Sequence, residues 1–251
     1  KFFAKIGPMN ETLIEYSLNQ ALECDFNKII FVVSKNTHDL FRNFFGDYYK
    51  DVPIEYAIQT YDQSLRDKPW GTVDAICSAQ KIIQEHPFVV CNGDDIYGEE
   101  SFRILYNHLT KYHSAASVGY KLSEVLPDFG EVNRGIFEID SENMIKGINE
   151  IIGISKDNFI EKGTDEFNLC SMNLFALTPE LLEQLHLLLI DFKSSHRQDR
   201  ISECFLSSAI SDLIKRQITK MKIYPTLAKW YGITNKEDEE FVKVKILFDS
   251  K

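Results

Sequence analysis

Five cysteines, Cys24, Cys77, Cys91, Cys170 and Cys204, occur in a chain of 251 residues, and none forms a C-x-x-C pair with another. Without that spacing the usual zinc-ribbon and dithiol signatures are absent, and most of these thiols sit in apolar segments, where a reduced thiol behaves as a small hydrophobe. Long apolar runs are missing too. Nothing approaches the roughly 18 residues that span a bilayer, and no charged stretch leading into an apolar one opens the chain, so neither membrane spanning nor secretion is expected. Basic charge is scarce: 28 Lys and Arg face 38 Asp and Glu, a formal net charge of -10. A nucleic-acid partner demands clustered Lys and Arg and is excluded on that ground, whereas small phosphates neutralised by a metal stay compatible. Histidine offers no alternative chemistry, because His108 and His113 miss the i, i+4 spacing of a helical metal pair and no His sits in a recognisable triad. A cytoplasmic protein is expected, with its oligomeric state left open.

What the chain does contain is an α/β rhythm. Leu13, Ile14, Ser17, Leu18, Ala21 and Leu22 recur at helical spacing and lead into a buried strand over Lys28 to Val33. A second helix, capped by Asn36 or Thr37, carries Leu40, Phe41, Phe44 and Phe45, and a strand over Ile54 to Ile58 follows. The same reading predicts a helix over Thr72 to Glu85, a strand over Pro87 to Cys91, a helix over Glu99 to Tyr112 and a strand over Ala115 to Tyr120. From Gly130 the texture changes to strands at Gly135 to Asp140, Met144 to Ile148 and Asn168 to Leu177, an antiparallel lid. Helices over Pro179 to Leu189 and Ile201 to Lys215, a strand over Lys220 to Tyr224 and a helix from near Asn235 close the chain. No repeat, low-complexity tract or linker interrupts it, so residues 1–251 are expected to form a single domain.

The run Phe88-Val-Val-Cys-Asn92 breaks off into Gly93-Asp94-Asp95. In a parallel α/β sheet ligands bind beyond the carboxyl ends of the strands, which would put Asp94 and Asp95 at a pocket, and paired acids suit Mg²⁺ that bridges to phosphate and needs few protein oxygens. The plain alternative is a strand-to-helix turn, with Gly-Asp-Asp serving as bend and helix cap. One helix earlier, Lys68-Pro69-Trp70-Gly71-Thr72 places a glycine at a helix entrance, where a ligand's close approach to backbone is allowed. In a parallel sheet the two loops share one edge.

Lys-Pro-Trp-Gly-Thr, a helix, and an apolar strand ending in Asn-Gly-Asp-Asp-x-Tyr-Gly resemble the sugar-phosphate nucleotidyltransferases, also called sugar-nucleotide pyrophosphorylases. The likeness continues through Val118-Gly-Tyr120, Asn133-Arg-Gly135, Ser171-Met-Asn173 and Pro225 to Thr234, so it spans essentially the whole chain. The resemblance implies a Rossmann-type α/β fold like that of type A glycosyltransferases: a mixed, mostly parallel sheet flanked by helices, with a small antiparallel substrate-side subregion. It implies transfer of a nucleoside monophosphate from a nucleoside triphosphate to a sugar 1-phosphate, with pyrophosphate released and Mg²⁺ as cofactor.

Carried over position by position, Asp94 matches the family's metal ligand and Asp95 its neighbour. Gln59, Gly71, Thr72, Asn92 and Gly93 fall on the nucleotide side. Gly135, Glu150, Asn173, Lys229 and Trp230 fall where the family holds its sugar phosphate. Lys1 aligns with the Lys that follows the Gly-rich phosphate loop. Three departures stand out. The opening strand and phosphate loop are not in the sequence, and a protein without that cradle is expected to lose nucleotidyl transfer. Gly232 stands where many members carry a second metal-binding Asp, for which Glu237 or Asp238 is the available substitute. Ile151 stands where a Lys usually follows Glu150, leaving Lys156, Lys162 or Lys229 as phosphate partners. These departures keep open a cytidylyltransferase for a non-sugar phosphate such as phosphocholine, a metal-dependent glycosyltransferase using Asp94 and Asp95, and a silent nucleotide-binding homologue.

Overall fold

The computed structural model describes residues 2–233 and 236–249. Its first unit grows from two reciprocal caps. Thr12 starts α1 (Leu13–Leu22): its hydroxyl accepts the Glu15 N–H while the Glu15 carboxylate takes the Thr12 N–H. Strand β1 (Ile29–Ser34) buries Ile29, Phe31 and Val33 on alternate positions, and its last residue, Ser34, caps α2 (Lys35–Phe45) through Thr37. The cap expected at Asn36 or Thr37 therefore lies at Ser34, because strand passes into helix with no intervening loop. After β2 (Tyr48–Tyr49), β3 (Val52–Gln59) runs parallel to β1 with Ile29 opposite Ile54 and Ser34 opposite Gln59, so both strands end level. Phe31, Phe41 and Phe45 fill the layer between this small sheet and α2.

The helix expected over Thr72 to Glu85 divides at Ala79 into α3 (Thr72–Ser78) and α4 (Gln80–Ile83), where the Ala79 N–H turns to the Ile76 carbonyl. There follow β4 (Phe88–Val90), β5 (Asp95–Ile96), α5 (Glu99–Tyr112), β6 (Ala115–Lys121), α6 (Leu122–Val125), β7 (Val132–Ile139), β8 (Ile145–Ile154), β9 (Leu169–Ser171) and β10 (Phe175–Leu177). The chain then forms α7 (Pro179–Ser195), α8 (Leu206–Lys215), β11 (Met221–Pro225), β12 (Tyr231–Gly232) and α9 (Lys236–Asp249).

The larger sheet has the order β4-β10-β6-β9-β7-β8, with β11 on the other side of β6. The expected mixed α/β class is present, although the strand directions are more varied than the rhythm implies. β10 inserts antiparallel between β4 and β6, and only β1·β3 and β6·β11 pair in parallel among the described residues. β7, β8 and β9 form the antiparallel subregion.

Successive residues of β6 explain the layering. Ala115 faces a core built with Leu181, Leu185, Leu206 and Ile210 of α7 and α8, while Ala116, Val118 and Tyr120 face a second core built with Phe102, Leu105 and Leu109 of α5. A strand covered by helices on both faces reads as continuously apolar, and each large side chain so buried contributes roughly 1.5–3 kcal/mol. Among the described residues no helix is long and apolar enough to cross a membrane.

Candidate active site at the carboxyl ends of β3 and β4

The turn after β4 is pinned from beneath by Tyr97, which is fully buried. The Tyr97 hydroxyl accepts the Asn92 N–H at 3.0 Å, donates to the Met172 carbonyl at 2.9 Å and lies 3.2 Å from Asp95 Oδ2. The same Asp95 oxygen accepts from Asn92 Nδ2 at 2.9 Å. Asp95 is only 8% exposed, and its backbone pairs with Gly232 across the short β5–β12 ribbon. Burial, reinforced by the Asp95 charge, pushes the Tyr97 phenol far above its ordinary range. Asp94, by contrast, is half-buried on the outer side of the turn. Neither acid caps the next helix, since the N-cap of α5 is Gly98 and carries no side-chain bond. That observation removes the plain reading of the Gly-Asp-Asp turn.

The loop between β3 and α3 is consumed by the chain's own contacts. Gln59 Nε2 donates to the Gly71 carbonyl at 3.1 Å and to Asp74 Oδ2 at 2.8 Å, and the other Asp74 oxygen pairs with Lys193. Gly71 has a φ of +96°, and a Cβ on it would lie 2.6 Å from the Cys204 carbonyl oxygen. The close approach expected of a ligand is thus made by residue 204, whose N–H also donates to the Trp70 carbonyl at 2.7 Å. Thr72 Oγ1 accepts the Leu206 N–H at 2.8 Å. Buried Arg66 stacks 3.4 Å over the Trp70 ring and donates to the carbonyls of Lys68, Asp199 and Ser202.

Where β1, β3 and β4 end together, a cavity of about 220 Å³ opens. Its wall brings Gln59, Thr72, Asn92 and Asn173 together, with Ser34 and Cys91 beside them and Ala75, Ile76 and Leu206 beneath. Cys91 exposes area to this recess, yet the surrounding protein pushes its thiol up to about 12. Asn173 separates β9 from β10 in a left-handed conformation, φ +60°, and its N–H is held by Ser171 Oγ at 3.3 Å. Such a backbone costs about 1–3 kcal/mol and clusters at functional positions. A Cβ added at Gly93 would stand at ordinary contact distance from the Phe2 ring.

The remaining expected residues lie around this rim or away from it. Gly135 and Glu150 are cross-strand partners, with Glu150 Oε2 3.5 Å from where a Gly135 Cβ would sit. Burial raises the Glu150 carboxyl, opposed by the nearby Arg134 charge. Lys229 is turned to the surface and paired with Glu124, Lys156 is paired with Asp128, and Lys162 donates to the Ile152 carbonyl at 3.0 Å. The Trp230 ring fills the space over Gly232: a Cβ there would meet Trp230 Cη2 at 2.6 Å and Asp95 Oδ1 at 3.0 Å. An acid at position 232 has no room while the indole stands there. Lys1, and the side chains of Glu237 and Asp238, lie outside the described residues. Tyr97, Asp74 and Arg134 did not emerge from the sequence as site residues; Tyr97 and Arg134 had a signal, their places inside the Asn-Gly-Asp-Asp-x-Tyr-Gly and Asn133-Arg-Gly135 motifs.

Among the described residues no three His, Cys, Asp or Glu side chains converge as a metal cage. That donor set does not suit a zinc site. It is compatible with Mg²⁺, a hard cation that retains waters and takes most of its remaining oxygens from substrate phosphates, for which Asp94 and Asp95 of the β4 turn are the candidate protein oxygens.

The arrangement is a mixed α/β fold with a recess at the ends of its strands, and solved structures share the fold. A UDP-glucose pyrophosphorylase complexed with UDP-glucose superposes with a TM-score of 0.66 at 18% identity, covering 99% of this chain and 91% of that one. A putative glucose-1-phosphate thymidylyltransferase from Bacillus anthracis gives a TM-score of 0.69 at 13% identity, with 98% and 86% covered. The inositol-1-phosphate CTP transferase from T. maritima gives 0.61 at 15% identity, with 94% and 84% covered. No curated protein sequence matches the chain. The family model for nucleotidyl transferases matches residues 5–231, and the chain belongs to that family.

Proposed function

We propose that the chain, as one domain over residues 1–251, joins a nucleoside monophosphate to a sugar 1-phosphate. The observation that carries this reading is the position of Asp94. It lies in the turn after β4, two residues beyond Asn92, which lines the recess with Gln59, Thr72 and Asn173, and it does not cap α5.

An oxygen of the acceptor phosphate attacks the α-phosphorus of the triphosphate. The new P–O bond forms as the bond to the β-phosphate oxygen breaks, and pyrophosphate leaves with the electron pair. Chemistry of this kind depends on positioning and on charge stabilisation rather than on a covalent enzyme intermediate. Mg²⁺, held by Asp94, would supply charge neutralisation between phosphate oxygens. Asp95 we assign to the fold rather than to the metal, because its Oδ2 is occupied by Asn92 and Tyr97 in a buried position. Gln59, with its NH₂ group committed to Gly71 and Asp74, presents its carbonyl oxygen as an acceptor towards the nucleobase. Gly93 contributes backbone on the same side, whereas the close approach at Gly71 is taken by Cys204. Glu150 and Asn173 accept and donate to sugar hydroxyls, next to Gly135. Lys229 is left out of the site, because its ion pair with Glu124 holds it at the surface.

The test is pyrophosphate release from the full chain with Mg²⁺, each of the four nucleoside triphosphates and a panel of sugar 1-phosphates, phosphocholine and inositol 1-phosphate. Release with one triphosphate and a sugar 1-phosphate is expected. Release only with a non-sugar phosphate would transfer the proposal to that acceptor class, and silence across the panel would refute nucleotidyl transfer.

A further inference from the structure

We propose that the Arg134 guanidinium and the indole N–H of Trp230 form the clamp that binds the phosphate of the acceptor. This rests on the nucleotidyl-transfer reading for the identity of the ligand, though not for the existence of the anion site.

Arg134 lies on β7 directly opposite Ile151 of β8, so the two side chains share one face of the sheet. A register shift stands between Val132 and Arg134, and irregularities of this sort re-aim a side chain next to active sites. The guanidinium lies 5.3 Å from the centre of the Trp230 ring. All three of its hydrogen bonds go to neutral backbone carbonyls, Val125 twice, at 3.2 and 2.7 Å, and Asn133 at 3.1 Å. The rest of its N–H fork has no acceptor, and among the described residues no carboxylate lies within 4.0 Å. Asp95 and Glu150 are near enough to be felt electrostatically but form no bond with it, and burial lowers the Arg134 pKa. A paired arginine would behave in the opposite way. A half-buried guanidinium that forms no ion pair is costly to desolvate, and a bidentate oxyanion relieves that cost best.

Trp230 supplies the independent observation. Its Nε1 is a buried side-chain nitrogen without a hydrogen-bond partner, the one such atom among the described residues. Native proteins satisfy nearly all buried donors, so an orphan donor stacked against an unneutralised guanidinium marks a place where an acceptor binds. The ring carrying it adjoins Gly232 and Asp95, one residue from Asp94. A phosphate monoester placed there offers two oxygens to the planar fork and a third to the indole N–H, beside the proposed metal ligand. The lysines closest in sequence to Glu150 are engaged elsewhere, Lys156 by Asp128 and Lys162 by the Ile152 carbonyl. Arg134 is thus a cation beside Gly135 and Glu150 that no carboxylate engages among the described residues.

The experiment titrates the full chain with inorganic phosphate and with glucose 1-phosphate by isothermal titration calorimetry, in the native protein, Arg134→Gln and Trp230→Phe. The same variants are assayed by steady-state kinetics and by thermal melting. Saturable binding to the native protein, weakened at least tenfold in both variants, is expected. The acceptor KM should rise by a similar factor while the triphosphate KM stays unchanged, and Arg134→Lys should recover part of the loss. Trp230→Phe keeps an aromatic ring and removes the N–H together with part of the indole surface, so it decides the matter even if Arg134→Gln fails to fold. Unchanged phosphate binding and acceptor KM in a folded Trp230→Phe would overturn the clamp. If the native protein releases no pyrophosphate yet binds phosphate in an Arg134-dependent way, the clamp stands and the transfer reaction falls.

Discussion

Two loops meet at the candidate site, and they treat their polar groups differently. In the loop from Gln59 to Thr72, the amide of Gln59, the glycine at 71 and the hydroxyl of Thr72 are all engaged with the chain itself, through Asp74, Cys204 and Leu206. In the loop from Asn92 to Tyr97, the bonding is concentrated underneath, on Tyr97 and Asp95, and Asp94 stays on the outer surface. The first loop is rigid because it is stitched across to residues 199–206. The second is rigid because one buried phenol holds Asn92, Asp95 and the Met172 carbonyl at once. A site needs both kinds of support: groups fixed by bonds within the chain, and a chemically competent group carried on them at the rim.

The comparison can be broken most sharply at Asp94. Asp94→Asn is expected to lower Mg²⁺-dependent turnover at least about a hundredfold, because a charged metal ligand contributes several kcal/mol to the transition state, while the melting temperature stays within a degree or two. A large loss of stability instead would place Asp94 among the fold's supports and erase the distinction. Next in size is Gly71→Ala. A Cβ at φ +96° would stand 2.6 Å from the Cys204 oxygen, so a destabilisation of about 2–4 kcal/mol is expected by urea denaturation. Loss of nucleotide affinity without loss of stability would show that the glycine serves the ligand after all. Tyr97→Phe is the smallest of the three. It keeps the buried ring and strips the acceptor from the Asn92 N–H, which predicts a cost of about 1–3 kcal/mol together with reduced turnover, as the Asp94 turn loosens. Full activity at unchanged stability would mean that the turn does not depend on its phenol.

Much of the fold was legible in the residue pattern, and the exceptions have local causes. The helix over Glu99 to Tyr112 agrees at both ends because Phe102, Leu105 and Leu109 form an unbroken stripe between Gly98 and His113. The helix expected from Ile201 begins only at Leu206, since Asp199 captures the N–H groups of Ile201 and Ser202 and Arg66 holds the Asp199 and Ser202 carbonyls. The strand expected over Asn168 to Leu177 divides at Asn173, where the backbone turns left-handed. The two-residue strands β5 and β12 carry no periodicity at all and exist because Asp95 and Gly232 meet in space.

The sequence by itself determined the alternation of helices and strands and the turn at which carboxylates appear, because each follows from residues within a few positions of one another. Only the tertiary structure decided which of two adjacent acids faces outward, what Gly71 makes room for, and that Arg134 and Trp230 stand together with donors to offer. Those outcomes depend on pairs far apart in the chain, 71 with 204, 97 with 172 and 134 with 230. The hydrogen-bonding fate of a polar group is set by what the fold brings within about 3 Å of it, and no local pattern carries that information.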